Sequence, residues 1–357
     1  MTRLSAQAAY ERSAEMALAW LFRSNSACGG KGSAHSYSVV WGWSKPYPET
    51  TGYLIPSLLA WARLRRDEAL FLLARRFGRW LVELQQPEGF WTGGMVGGNR
   101  PSVFNTAMIA DGLSALAAHL TDEATAGASA HRGLAWLLSR LEPDGAWRHG
   151  LYVSDFVPVY HAYAVSAALR TAERLQQPEG REPLQRALHY YAGFFRPDGT
   201  LANAGLKPGP WAFTHTIAYA LHGLWDAAQY FQEKTIQQQV LTSCRSLQGI
   251  IAQQGRIAGR YREGWTGDYS FTSPVGNAQL SCLFRAIGND VSDPAFDQWA
   301  DWTLDRAIEH QCQGSHPGTR GALPGSVPGW GPYLRGRYPN WGVKFLLDAL
   351  YAARAAV

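Results

Sequence analysis

Two pairs of histidine and tyrosine side chains are spaced as an acid/base site would need them. His215 and Tyr219 stand four residues apart, a spacing that places both side chains on one face of a helix. His161 and Tyr163 form a second pair. Imidazole and phenol groups transfer protons when they lie within hydrogen-bonding distance of the reacting group. The two pairs therefore predict a reaction in which one side removes a proton and the other delivers one.

Both histidines belong to a series of polar residues that share one register in six apolar segments. The series is Thr51, Asn105, His161, His215, Asn277 and Asn340. In a closed ring of helices these residues would lie at one end, where each helix begins. Thr and Asn are also good helix caps, so capping or buried hydrogen bonding stays an open interpretation for them. Histidine is a poorer cap, and we expect at least one histidine to act on a ligand.

The segments before these residues are long and rich in glycine, aromatic and basic side chains, and long loops in a compact domain are usually functional. The further residues that we expect to contact a ligand, in these loops or on the helices after them, are Trp41, Trp43, Trp91, Asp155, Trp211, Arg260, Tyr261, Trp265, Arg337 and Lys344. Helix N-termini attract anions, and arginine binds carboxylates through paired hydrogen bonds. An acidic ligand is therefore predicted, with packing of the loops as the alternative role of the aromatics.

These residue types fit proton abstraction from an acidic sugar better than they fit other sugar chemistry. Removal of the C5 proton of a uronate needs groups that neutralise its carboxylate, a role assigned to Arg260, Asn105 and Asn277. The His/Tyr pairs would then exchange the protons. The sequence therefore predicts a polysaccharide lyase or a C5-epimerase that acts on an acidic oligo- or polysaccharide.

Other functions remain open. Hydrolysis of a glycosidic bond needs two carboxyl groups, for which Glu49, Asp155 and Asp268 are the candidates, with Glu49 and Asp155 preferred. Glu49 directly precedes a predicted inner helix. A non-catalytic saccharide-binding module of a polysaccharide assembly system would explain the aromatic and basic residues without acid/base pairs. An isoprenoid-handling protein would need a deep aromatic cavity without charges.

The elements that must position these residues follow from an internal repeat. Residues 81–91 (LVELQQPEGFW), 136–147 (WLLSRLEPDGAW) and 190–201 (YYAGFFRPDGTL) each combine the end of an amphipathic helix with a Pro-acid-Gly turn. With three looser copies, units of roughly 50–60 residues cover the chain. In each unit the first helix keeps a polar face and the second is apolar on most faces, so the second should lie inside.

The inner helices are predicted over 50–64, 102–120, 159–175, 212–231, 273–287 and 340–355, with a small hairpin at 255–261. Six helix pairs predict an all-α fold, a single (α/α)6 toroid domain over residues 1–357. An open solenoid is the alternative, but neither terminus has the polar face of a capping repeat.

The turns resemble those of known toroid families. Residues 85–91 (QQPEGFW) have the Q-x3-G-x-W spacing of squalene and hopene cyclases, and the turns are also similar to those of protein prenyltransferase β subunits. Residues 46–59 (PYPETTGYLIPSLL) and 213–225 (FTHTIAYALHGLW) are similar to cyclase-like toroid proteins associated with bacterial polysaccharide biosynthesis. The resemblance implies the α/α toroid. Terpene cyclisation and zinc-dependent prenylation are disfavoured, because the sequence has neither a DxDD cluster nor a DxC pair.

The composition sets further bounds. Of the 357 residues 46 % are hydrophobic and 17 % charged, which excludes a disordered chain. The net charge of +5 comes without a Lys/Arg run, so no nucleic-acid partner is expected. Cys28, Cys244, Cys282 and Cys312 are scattered, as reduced thiols of a cytoplasmic protein would be. The N-terminal stretch reads as an amphipathic helix, and no membrane span, metal or cofactor is predicted.

Overall fold

The computed structural model describes residues 3–120 and 123–355, so Met1 and Thr2 of the predicted first helix lie outside the described residues. The α-helices are α1 (Arg3–Ala27), α2 (Pro48–Arg65), α3 (Glu68–Glu83), α4 (Val103–His119), α5 (Ala124–Ser139), α6 (Ala162–Arg174), α7 (Arg181–Ala192), α8 (Thr214–Phe231), α9 (Lys234–Gln254), α10 (Pro274–Val291), α11 (Pro294–Ile308) and α12 (Asn340–Ala355). Short 3-10 helices cover Val159–His161, Pro178–Gly180 and Glu263–Trp265. The prediction of an all-α fold is confirmed.

The strands are short and lie in the loops. They are β1 (Ser36–Ser38), β2 (Gly42–Trp43), β3 (Ala212–Phe213), β4 (Arg260–Arg262), β5 (Thr266–Asp268) and β6 (Arg337–Pro339). Strand β1 pairs antiparallel with both β2 and β6, and β4 pairs antiparallel with β5. The predicted position of the hairpin, 255–261, is wrong. Helix α9 runs to Gln254 and Gly255, with φ of 66°, follows its end, so the hairpin starts only at Arg260.

Every predicted inner helix is present, as α2, α4, α6, α8, α10 and α12. The start of α6 differs, because Val159–His161 forms a 3-10 turn after Pro158 and the α-helix begins only at Ala162. Helix α4 shows the expected burial on all faces, with each residue from Val103 to Leu116 buried. Helix α3 buries one face only, as expected of an outer helix.

The repeated turn has the same geometry in its three clearest copies. Gly89, Gly145 and Gly199 have φ of 99°, 90° and 80°, a conformation that favours glycine. The amide of each glycine donates a hydrogen bond of 2.8–2.9 Å to the carbonyl three residues before it. The Pro-acid-Gly pattern therefore marks a real structural repeat.

Glycines let the inner helices approach closely. A β-carbon at Gly112 of α4 would lie 2.0 Å from the carbonyl oxygen of Gly52 on α2. A β-carbon at Gly223 of α8 would lie 2.3 Å from the backbone at the start of α6. Larger side chains at these positions would push the helices apart.

The chain forms two compact units. The first contains the described residues up to 45, residues 213–218 and the described residues from 244 onward, and the second contains residues 46–212 and 219–243. The single domain over residues 1–357 stays a prediction. Within the described ranges, no helix is both long and apolar enough to cross a membrane.

Candidate active site

Glu49 lies in the first turn of α2, beside the tyrosine that precedes the helix. Pro48 begins the helix, and the backbone of Tyr47 is extended with φ of −118°. The Tyr47 hydroxyl donates a hydrogen bond of 2.6 Å to Oε2 of Glu49. Glu49 keeps part of its surface accessible. The hydrogen bond fixes the position of the carboxyl group.

The Glu49 carboxyl titrates close to neutral pH. Burial disfavours its charged form and raises its pKa to about 7, and the hydrogen bond from Tyr47, which favours the carboxylate, opposes that rise. A group with a pKa near the working pH is populated in both protonation states, as general acid/base catalysis requires. Carboxyl groups perturbed in this way are typical of functional sites.

Three further tyrosines of the same unit interact electrostatically with this carboxyl. The pKa values of Tyr53, Tyr160 and Tyr219 are raised first by burial, and the negative charge of Glu49 raises each of them further. The hydroxyls of Tyr53 and Tyr219 form a hydrogen bond of 2.8 Å with each other. All three phenols therefore stay protonated at neutral pH and can donate hydrogen bonds or protons.

Tyr53 and Tyr160 are not predicted from the sequence. The spacing of four residues between Glu49 and Tyr53 on α2 is a signal that could have found Tyr53, because it places both on one helix face. Tyr160 is adjacent to the predicted His161, but its approach to Glu49 depends on tertiary packing.

His161 and Tyr163 lie in the same aromatic group. Phe104 stacks on His161 with 5.9 Å between ring centroids, and Tyr163 lies 4.9 Å from Tyr219. Burial lowers the pKa of His161 to about 3, and its Nδ1 atom is buried without a hydrogen-bond partner. At neutral pH the imidazole is therefore uncharged and surrounded by aromatic rings.

His215 lies among other residues, in the first unit. Its Nδ1 atom hydrogen-bonds Oε1 of Gln279 at 2.5 Å, and its ring lies 5.1 Å from that of Tyr333 and 6.3 Å from that of Trp341. Burial lowers the pKa of His215 to about 4. His35, which the sequence did not single out, contacts the same Trp341 at 4.9 Å. The two members of the predicted pair therefore have different partners. Tyr219 hydrogen-bonds Tyr53, whereas His215 hydrogen-bonds Gln279.

Two of the predicted cations have acidic partners. Arg260 forms an ion pair of 2.9 Å with Asp268 across the β4–β5 hairpin, and Lys344 forms one of 2.7 Å with Asp348 on α12. Arg337 donates a hydrogen bond of 3.4 Å to the hydroxyl of Ser36. Because Arg260 and Lys344 already have carboxylate partners, Arg337 is the better placed of the three to meet an added anion.

The predicted carboxylate and amide residues are distributed over both units. Asp155 is exposed, with φ of 60°. The Asn105 amide donates a hydrogen bond of 2.9 Å to the carbonyl of Thr92, which ties the start of α4 to the preceding loop. Asn277 and Asn340 are buried, and Oδ1 of Asn277 and both amide atoms of Asn340 have no hydrogen-bond partner. Buried amide atoms without partners are unusual in proteins.

The predicted aromatic residues differ greatly in exposure. Trp91 is 1 % exposed, and its indole N–H donates a hydrogen bond to the carbonyl of Leu81. It therefore stabilises the packing within its own repeat. Trp265 is buried beside Tyr261, whereas Trp41 is 81 % exposed.

Two other predicted aromatics are partly exposed. Trp43 packs against Trp20 with 5.0 Å between ring centroids. Trp211 is also half-buried. Of all the predicted tryptophans, Trp41 therefore offers the most surface to a ligand.

Comparison with known proteins identifies the fold. No protein-family model matches the sequence, and no curated protein matches it. Among solved structures, an unsaturated glucuronyl hydrolase specific for heparin is similar over 98 % of this chain and 97 % of its own, with a TM-score of 0.76 and 14 % identity.

Two further solved structures show the same likeness. The unsaturated glucuronyl hydrolase of Bacillus sp. GL1 has a TM-score of 0.71 and 16 % identity, with 96 % of each chain covered. The cellobiose 2-epimerase of Bacillus thermoamylovorans B4167 has a TM-score of 0.70 and 13 % identity, over 90 % of this chain and 92 % of its own. The chain therefore has the (α/α)6 toroid fold, as predicted. The nearer likeness to squalene cyclases and to polysaccharide-biosynthesis proteins stays a prediction.

Proposed function

We propose that this chain is a carbohydrate-active enzyme that acts on a uronate-containing glycan by proton transfer, with Glu49 as its central acid/base group. The observation that carries the proposal is the Glu49 carboxyl, which has a pKa of about 7 and lies among protonated tyrosines. It is partly accessible, so a substrate can reach it. A binding module would have no need of such a group.

The roles follow from the protonation states. Near neutral pH Glu49 is ionised in part of the molecules and can take the C5 proton of a uronate. The hydroxyls of Tyr53 and Tyr219 stay protonated and can deliver a proton. In a lyase this proton goes to the C4 oxygen as the C4–O bond breaks and a C4–C5 double bond forms. In an epimerase a proton returns to C5 from the opposite face.

Two observations support an acidic substrate. The solved glucuronyl hydrolases of the same fold act, by their names, on unsaturated glucuronyl groups. The chain itself carries a net charge of +5, which favours acidic ligands in general. A cellobiose 2-epimerase also has this fold, so a neutral disaccharide belongs among the substrates to be tested.

Glycosidic hydrolysis is the second candidate. A carboxyl group with a raised pKa is what a general acid of a glycosidase needs, and Glu49 meets that condition. Hydrolysis by the common route also needs a second carboxyl group across the bond, and Asp155, the predicted partner, is exposed in its loop. The tyrosines near Glu49 can supply the second proton-transfer group that a lyase or epimerase needs, so we place that reaction first.

Incubation in D2O tests the proposal and separates the reactions. The protein is incubated with a panel of uronate polysaccharides, unsaturated glucuronyl disaccharides and cellobiose, and the products are followed by proton NMR and ultraviolet absorbance. Deuterium at C5 or a new C4–C5 double bond would support proton abstraction. New reducing ends without either signal would support hydrolysis. Glu49→Gln should abolish whichever reaction occurs, and the same change at the exposed Glu88 should not. Binding without any turnover across the panel would contradict the proposal and favour the saccharide-binding module.

A further inference from the structure

A cavity of about 320 Å³ lies in the first unit, where the start of α10, the end of α11 and the loop after α9 meet. Its lining includes Arg256, Tyr269, Phe271, Asn277, Arg306 and His310. The volume is that of a small-molecule site. Among the described residues, no Asp or Glu contributes to this lining, so the cavity favours a ligand with negative charge.

The positive charge of the cavity comes from two guanidinium groups. Arg256 is exposed and lies over the ring of Tyr269, 5.1 Å from its centroid. Arg306 lies over the ring of Trp302 and also pairs with Glu309. Burial lowers the pKa of His310, so its imidazole is neutral at pH 7 and adds hydrogen-bonding capacity without charge. Both guanidinium groups lie over aromatic rings, and arginine binds planar carboxylates through paired hydrogen bonds.

Two polar atoms of the lining residues have no hydrogen-bond partner, and one of them is a donor while the other is an acceptor. The Nε–H of Arg306 is a buried donor without an acceptor, and Oδ1 of Asn277 is a buried acceptor without a donor. Asn277 is only 2 % exposed and lies in the first turn of α10. Buried polar groups in proteins are nearly always paired. A ligand that brings both an acidic oxygen and a hydroxyl group would satisfy the two needs together.

We propose that this cavity binds one sugar residue that carries a carboxylate. The Arg256 guanidinium and the Nε–H of Arg306, whose other nitrogen already pairs with Glu309, receive the carboxylate. A sugar hydroxyl meets Asn277, and the rings of Tyr269 and Phe271 cover the apolar face of the sugar. The choice of an acidic sugar rests on the proposed function. The site itself belongs to the unit that does not contain Glu49 and requires no catalysis.

Calorimetric titration of the full chain tests this proposal, with Glu49→Gln as the background so that no turnover occurs. The probes are glucuronate, glucose and inorganic phosphate. Glucuronate should bind at least about tenfold more tightly than glucose, because a charge-assisted hydrogen bond is stronger than a neutral one. Arg256→Gln and Arg306→Gln should each weaken glucuronate binding by about fivefold or more. Arg12→Gln, which removes an exposed charge of the same unit outside the cavity, should leave the affinity unchanged.

The outcomes separate this site from the proposed active site. Arg256 is exposed, so its replacement leaves the fold intact and gives a clean result even where Arg306→Gln is less stable. Glucuronate binding that is insensitive to Arg256→Gln and Arg306→Gln would overturn the cavity proposal, while the D2O experiment on Glu49 would keep its own result. Phosphate that binds as tightly as glucuronate would overturn the assignment of a sugar. Weaker binding in both arginine variants together with a preference for glucuronate would support it.

Discussion

Replacement of Glu49 by Gln should change how the free energy of unfolding depends on pH. Burial holds the Glu49 pKa at about 7, against a usual value of 4.5. The folded protein therefore binds more protons than the unfolded chain between about pH 4.5 and about pH 7. The contribution of this group to stability is greatest below the unfolded pKa and is lost as the pH rises through that window. Gln cannot ionise, so the variant has no such loss.

The size of the effect follows from the two pKa values. At high pH, ionisation of the buried carboxyl costs about 3 kcal/mol of folding free energy. Between about pH 5 and about pH 8 the same linkage gives a loss of about 2.5 kcal/mol. The buried histidines also titrate, but they are present in both proteins and cancel in the comparison.

Urea denaturation followed by tryptophan fluorescence measures this difference. The free energy of unfolding is obtained at both pH values for the wild type, for Glu49→Gln and for the control Glu88→Gln, which changes an exposed carboxyl. The gain of Glu49→Gln over the wild type should be larger at the higher pH by about 2–3 kcal/mol. A gain that differs between the two pH values by less than about 0.5 kcal/mol would refute a buried, proton-binding Glu49.

Two further predictions concern the neighbours of this group and the helix contacts. Tyr47→Phe should raise the pKa of Glu49 further, because it removes the hydrogen bond that favours the carboxylate. In carbon NMR the carboxyl resonance of Glu49 should then titrate at higher pH. An unchanged titration midpoint would contradict this hydrogen bond. Gly112→Ala should destabilise the chain by about 2 kcal/mol or more, since the methyl group would meet the backbone of Gly52. Gly249→Ala, at an exposed site of α9 with open space around it, should instead stabilise the chain by about 0.5–1 kcal/mol. If both alanine variants change the free energy of unfolding in urea by the same amount, the close approach of α2 and α4 is contradicted.

The fold was predictable because its signals are local. The Pro-acid-Gly turns need only a few neighbouring residues, and Gly89, Gly145 and Gly199 all adopt the positive φ that the pattern implies. The two-helix units likewise follow from the apolar pattern, since α3 buries one face and α4 is buried on all faces, as expected. The 3-10 turn before α6 was not predictable, because apolar periodicity does not distinguish it from the first turn of an α-helix.

The site was only partly predictable, because its contacts are not local. Glu49 was found from its position before a helix, but its raised pKa depends on burial, which only the tertiary packing determines. Spacing on α8 suggested that His215 would act with Tyr219. That role stays a prediction, and the hydrogen bond of the histidine with a glutamine on α10 depends on tertiary packing.

The partners of two further predicted residues could not be read from the sequence either. Arg260 looked available for a ligand in the sequence, yet the β4–β5 hairpin places Asp268 opposite it at ion-pair distance. Trp91 was expected to contact a ligand, yet its indole N–H donates a hydrogen bond to the carbonyl of Leu81 within the repeat. Residue type alone did not reveal these partners.

The pH dependence of kcat/KM tests the role of Glu49 most directly, on whichever substrate the D2O panel identifies. The wild type and Glu88→Gln should show the same profile, with an apparent pKa near that of the Glu49 carboxyl, about 7. Glu49→Gln should lose that titration and at least about a hundredfold in kcat/KM, the usual contribution of a positioned acid or base. A Glu49→Gln enzyme that keeps the wild-type rate and the wild-type pH profile would contradict the account.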